Sequence, residues 1–208
     1  MIAVYGRANS MNVQSVTWGL AELGQRCERL DYGKGFAATD TPEFRAMNPN
    51  GLVPVLKDEK VTMFESGAIL RYLASRYGRF PFWPEDPVAR APVDMWAEWA
   101  KTTLHREFGP IFWTVIRPAE PRVEIEAALA AFDRHLGLLE DQLGDNDYVT
   151  GADFTLADIA VGVVLFRYFT LDIPREVRPV LSAYYQRLTD RPAYAEHVMV
   201  SYDALRAP

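Results

Sequence analysis

Two residues suited to polar chemistry stand side by side at Glu65-Ser66, where a helical pattern with Ile69, Leu70 and Leu73 on its apolar side begins. A carboxylate and a hydroxyl at that position are, in the plainest reading, a helix cap. Just upstream, Asn48-Pro49-Asn50-Gly51 concentrates turn chemistry, because proline fixes φ and glycine tolerates φ > 0. Pro54 then falls between Val53 and Val55 in a strand-like run, where it removes a ladder donor and belongs at an edge or a strand start. A cis Val53–Pro54 bond is the other solution. Elsewhere the chemistry is sparse. Cys27 lies on a strand-like segment outside any Cys-x-x-Cys pair and reads as a small buried hydrophobe. His105, His135 and His197 are too scattered for a metal site. Asp158, three residues after Thr155 and flanked by Phe154 and Ile159, has the spacing of a capping box with a hydrophobic staple, so it reads as structural.

These residues are spaced by a regular series of elements. Ile2 to Tyr5 reads as a strand ended by Gly6, followed by a small polar loop and a helix over 13–23. Val13, Val16, Leu20 and Leu23 recur there at helical spacing, with Trp18 on another face. A short second strand fits 27–32, and Thr41-Pro42-Glu43 opens a short helix. Two antiparallel strands, 53–56 and 61–64, flank the turn at 57–60, and Glu65-Ser66 starts the third helix. Residues 78–87 hold three prolines and one glycine and read as a linker. Beyond it the pattern is helical: about 87–113, with Pro92 either kinking the helix or postponing its start, then 122–143, 156–169, 175–188 and 192–199.

With 208 residues, 49% of them hydrophobic, the chain has material for one domain or two small ones. A net charge of −6 argues against nucleic acid as the main partner. The single cysteine precludes an internal disulfide and suits a reducing compartment. There is no signal-peptide layout, and no apolar run nears the roughly 20 residues of a membrane helix. The expectation is a soluble cytoplasmic protein that binds neither membrane nor nucleic acid.

Taken in order, the βαβαββα segment with Val53-Pro54, then Glu65-Ser66, the proline-rich linker and a helical region with Thr155-x-x-Asp158 resembles the cytosolic glutathione transferases of the serine-type, bacterial and theta-like group. The resemblance spans essentially the whole chain. It implies a thioredoxin-like α/β N-terminal domain over 1–77, a linker over 78–86 and an all-α helical bundle over 87–208 that contributes the electrophile pocket. It implies a cis-proline at Pro54, with the Val53 backbone pairing strand-like with the cysteinyl unit of glutathione. Glu65 and Ser66 would hold the γ-glutamyl end, the carboxylate accepting from the ligand's ammonium and the hydroxyl donating to its carboxylate.

For the sulfur, the resemblance points to a hydroxyl in the loop after the first strand, which is Ser10, with Asn12 and Tyr5 as alternatives. The family often carries a polar or basic residue just before Val-Pro to help hold the glycyl end; Leu52 cannot do so, and Lys34 is the candidate substitute. Ala8, Met11, His105, Phe108 and Phe112 are candidates for the electrophile pocket. Arg71, Arg76 and Arg90 are candidates for a homodimer interface. Glutathione would be a co-substrate rather than a permanently bound cofactor, with an apolar electrophile as its reaction partner and thiolate substitution or conjugate addition as the reaction. The alternative is a binding or interaction protein of the same fold without turnover.

Overall fold

The computed structural model describes residues 1–206, and these fall into two compact units: Met1–Arg79 together with Pro192–Val200, and Phe80–Arg191 together with the residues from Ser201 onward. The first unit contains β1 (Ile2–Tyr5), α1 (Met11–Glu22), β2 (Cys27–Leu30), α2 (Pro42–Met47), β3 (Val55–Asp58), β4 (Val61–Phe64) and α3 (Ser66–Tyr77). The βαβαββα order read from the pattern is therefore the order observed. The sheet runs β2-β1-β3-β4, with β1 parallel to β2 and the other two pairings antiparallel. Its register puts Tyr5, Leu30, Val55 and Phe64 in one row across the sheet. The segments following β1, β2 and β4 and the one preceding β3 all leave from that row, so Gly6–Ser10, Gly33-Lys34, Val53 and Glu65-Ser66 emerge at the same end.

Alternation along β1 sends Ile2 and Val4 to one face, where they pack with Val13, Val16 and Leu20 of α1 and Ile69 and Leu73 of α3. Tyr5 faces the other way, against Tyr32, which in turn meets Phe44 of α2. Trp18, on the far side of α1 from the periodic apolar residues, is also fully buried. The reason lies late in the chain. Helix α9 (Pro192–His197) belongs to this unit, and its Tyr194 meets the Trp18 ring edge-on at 4.8 Å. A linear boundary at residue 87 assigns α9 to the other unit.

The second unit opens with α4 (Pro87–Trp99), continues through a π-helical turn at Ala100–His105 and runs on as α5 (Arg106–Ile116). Asp86 caps it through a bond from the Ala89 N–H, and Pro92 sits inside the helix without delaying its start. It is followed by α6 (Ile125–Leu143), α7 (Leu156–Thr170) and α8 (Pro179–Thr189). Helix α8 starts four residues later than its periodicity suggested. Proline at the first helical position suits a helix start, and the residue before it avoids the α region. Arg178 is thereby free to bond Asp133 and Glu140 of α6, while Glu140 accepts from the Val180 and Leu181 N–H groups at the start of α8. No helix among the described residues is long and apolar enough to cross a membrane.

Candidate functional site

The turn before Val53 is built by a buried side chain. Asn48 donates from its amide to the Leu52 carbonyl at 2.7 Å and accepts from the Asn50 N–H at 3.0 Å, while the Gly51 N–H reaches back to the Asn48 carbonyl. The Val53–Pro54 peptide bond is cis, and β3 begins only at Val55. Among the described residues no hydrogen bond reaches the Val53 N–H or carbonyl. On its inner side the approach is close. Gly6 has φ +154°, and a Cβ there would lie 2.4 Å from a Val13 methyl and 3.1 Å from the Val53 Cβ, so only glycine lets the chain leave β1 here.

Glu65 does not behave as an ordinary cap. Its side chain makes no capping bond, its carboxylate has no hydrogen-bond or ion-pair partner among the described residues, and it is exposed. Its backbone is held at φ +66°, a left-handed conformation unusual for a non-glycine residue and costly on the order of 1 kcal/mol or more. Ser66, 3% exposed, donates from Oγ to Oδ1 of Asn12 at 3.3 Å, tying the start of α3 to the start of α1. Behind α3, Asp58 accepts from the Tyr72 and Tyr77 hydroxyls at 3.0 and 2.6 Å. Burial and the bond to Asp58 push the Tyr77 hydroxyl up to about 12, so it remains a donor. This network holds α3 onto the β3–β4 hairpin.

Ser10 stands at the N-cap position of α1, 9% exposed, and its carbonyl accepts from the Val13 and Gln14 N–H groups. Its hydroxyl makes no capping bond and has no partner among the described residues. Fully burying side chains such as Val13, Val16, Trp18 and Leu20 is worth roughly 1.5–3 kcal/mol each, so the helix that carries Ser10 is firmly seated. Tyr5 is placed differently, on the opposite face of the sheet, with the Lys57 ammonium 5.3 Å from its ring centroid. The structure thus brings Ser10, Asn12, Val53 and Ser66 to one end of the sheet and turns the Tyr5 ring to the α2 side.

Lys34 is exposed and unpartnered among the described residues, in the loop after β2. Beside that loop stands Arg7, which the sequence pattern did not single out. Its Nε is enclosed without a partner, it forms no ion pair among the described residues, and burial holds its pKa below the ordinary arginine value. The only sequence signal was a basic residue two positions past the end of a strand.

The expected electrophile pocket needs correction. Phe108 and Phe112 are 0% and 1% exposed and pack in the core of the second unit, Phe108 meeting Phe132 at 5.3 Å and Phe112 meeting Tyr202 at 5.2 Å. As packed they offer no surface to a ligand: helical spacing told which face they share, and that face turned out to be the interior. His105 ends the π-helical turn with Nε2 on the Ala160 carbonyl at 2.9 Å and Nδ1 enclosed, and burial lowers its pKa to about 4, so it stays neutral. Ala8 and Met11, either side of Ser10, are half-buried. Burial pushes the Cys27 thiol up, against nucleophilic use. His135 bonds Glu107, Arg76 pairs with Glu59, and Arg90 lies over the Trp83 ring.

Residues 1–75 match the profile of the glutathione S-transferase N-terminal domain and residues 122–187 that of the C-terminal domain. Glutathione S-transferase GstB of Escherichia coli K12 is 37% identical over 205 residues, covering 96% of this chain and 99% of that protein. Glutathione S-transferase theta-1 of Rattus norvegicus is 38% identical over 154 residues, 70% of this chain and 64% of that protein. Among solved structures, the theta class glutathione S-transferase of Xanthomonas axonopodis pv. citri with glutathione bound superposes with a TM-score of 0.90 at 38% identity, over 96% of this chain and 98% of that one. The chain belongs to the glutathione S-transferase family.

Proposed function

We propose that this protein is a glutathione transferase: it binds glutathione at the end of the sheet where Val53 and Glu65-Ser66 emerge, stabilises the thiolate and directs it at an electrophilic carbon. The observation that carries this reading is a set of groups matched to glutathione at one end of the sheet, two of which, the Val53 backbone pair and the Glu65 carboxylate, have no partner among the described residues. A Val53 backbone pair without a partner suits a short strand-like ligand. A carboxylate presented by a strained, exposed residue at a helix start suits an ammonium group; strain of that kind is kept where function requires it. Ser66 and the first turn of α3 suit a carboxylate. Glutathione has these groups in this order: γ-glutamyl ammonium and carboxylate, then a cysteinyl amide pair, then a terminal carboxylate.

Ser10 is the group assigned to the sulfur, supported by its unpartnered hydroxyl at the start of α1, where first-turn N–H groups also favour an anion. Asn12, whose amide meets Ser66, is the second choice. Ala8 and Met11 are assigned to the near wall of the electrophile pocket. A homodimer, cytoplasmic location and a role in detoxification follow the family resemblance.

Retention on immobilised glutathione together with turnover of a generic aryl halide is the expected result; failure of both would return the protein to the class of non-catalytic interaction proteins of this fold. Two substitutions probe the binding residues by calorimetry. Glu65→Gln is expected to weaken glutathione binding by roughly 10- to 100-fold, the worth of a charge-assisted hydrogen bond. Lys34→Ala is expected to cost no more than about threefold, and less at high salt, as for an exposed ion pair. An unchanged affinity in Glu65→Gln would remove Glu65 from the ammonium site.

A further inference from the structure

The loop after β1 holds a cation that the fold does not satisfy. Arg7 is half-buried, its Nε is shut off from solvent with no acceptor, and no carboxylate pairs with it among the described residues. Nearby, Arg29 is fully engaged, donating to the Gly6 carbonyl and pairing with Asp31. Burying polar N–H groups and charge without a partner is unfavourable, so a fold that leaves a guanidinium in this state leaves it poised for an anion.

Its position says which anion. A Cβ built on Gly33 would come within 3.0 Å of Arg7 Nη1 and 3.9 Å of both Val53 methyls, so the guanidinium lies beside Gly33, on the side of Val53 that faces the loop after β2. Gly33 itself has φ +99°, and its missing side chain leaves the space the guanidinium fills. In the strand order β2-β1-β3-β4, Glu65 and Ser66 follow β4 at one edge, Gly33 follows β2 at the other, and Val53 precedes β3 between them. Three inter-strand steps span about 14 Å. An extended tripeptide covers roughly 10 Å, and the side chains of Glu65 and Arg7 close the remainder.

The geometry points to Arg7 as the residue that anchors the glycyl carboxylate of glutathione, a role that rests on the glutathione reading above. With the γ-glutamyl end at β4 and the cysteinyl amides on Val53, the glycyl carboxylate is carried to the β2 edge, where the planar guanidinium offers paired N–H donors to its two oxygens. Arg7 thus replaces the polar side chain that Leu52 lacks. Exposed Lys34 adds only a screened attraction.

Calorimetry on the full chain with glutathione and with its glycyl ethyl ester tests this, because the ester removes the charge from that end alone. Wild type is expected to bind glutathione roughly 10- to 100-fold more tightly than the ester. In Arg7→Gln that preference collapses to within about threefold, through loss of glutathione affinity with ester affinity kept, while Lys34→Ala retains most of it. Arg7→Lys, which keeps the charge without the fork, is expected to fall between. If Arg7→Gln folds and keeps the wild-type preference, Arg7 is not the anchor. A wild type that prefers neither form also overturns it, with no variant needed. If wild type binds neither ligand, the glutathione reading itself fails, a result distinct from either of the others.

Discussion

Replacing Ser10 by alanine is expected to lower turnover at pH 7 by about eight- to twenty-five-fold while glutathione affinity stays within about threefold of wild type. An unperturbed thiol titrates near 8.5, so only a few per cent is thiolate at neutrality. A hydroxyl donating to a charged acceptor is worth roughly 1.5–3 kcal/mol, which at 1.36 kcal/mol per unit lowers the thiol pKa by about one to two units. The Ser10 hydroxyl is able to spend its proton this way because nothing else among the described residues takes it. The pH dependence of kcat/KM is the readout. Its acidic limb should move up by about one to two units in the variant, and the two enzymes should converge near pH 9.5. A limb that does not move would exclude Ser10 and leave Asn12 to be tested by the same measurement.

The largest expected loss of stability comes from Asp158→Ala, about 4 kcal/mol by chemical denaturation at pH 7. Asp158 is fully buried and accepts from four donors: the Val149 and Thr155 N–H groups and the Thr155 and Tyr184 hydroxyls. Alanine removes the reach-back to the start of α7 and takes the shared acceptor away from all four donors. Burial also sets a pH dependence, since it raises the Asp158 pKa from 3.8 to about 6 against the pull of those donors. The folded state therefore holds this proton more tightly than the unfolded chain. Its contribution is fully present below about pH 4 and is lost as pH rises through about 6, by an amount on the order of 3 kcal/mol. Asp158→Asn, which has no proton to bind, should lack that decline. A wild type and Asn variant with parallel stability profiles from about pH 4 to 7 would refute it.

What could be read in advance follows from the range of the interactions involved. Asn48-Pro49-Asn50-Gly51 and Thr155-x-x-Asp158 are local devices, written in neighbouring residues, and both elements form where the pattern put them. Glu65 was legible as a residue at a helix start but not as one held at φ +66°, because glutamate carries no preference for that region. Arg7 was invisible for a different reason. Its significance is the lack of a partner, and no spacing rule reports that. Phe108 and Phe112 sat correctly on their helix, yet periodicity shows that a face is apolar without saying whether protein or ligand covers it. Helix α8 shows the reverse, its apolar repeat running on past a boundary that Pro179 enforces.

The return of Pro192–Val200 to the first unit has a bearing on the order of synthesis. Residues 1–79 carry the whole sheet and the proposed tripeptide clamp, yet Trp18 is covered, and Gln14 reaches the Val198 carbonyl, only when Pro192–Val200 is in place. Those residues already include the core between the sheet and helices α1 and α3, but not the cover over Trp18. The seat of the helix bearing Ser10 is finished by residues made more than a hundred positions after the sheet, so a chain lacking Pro192–Val200 would leave that helix incompletely packed even with every proposed ligand-binding residue present.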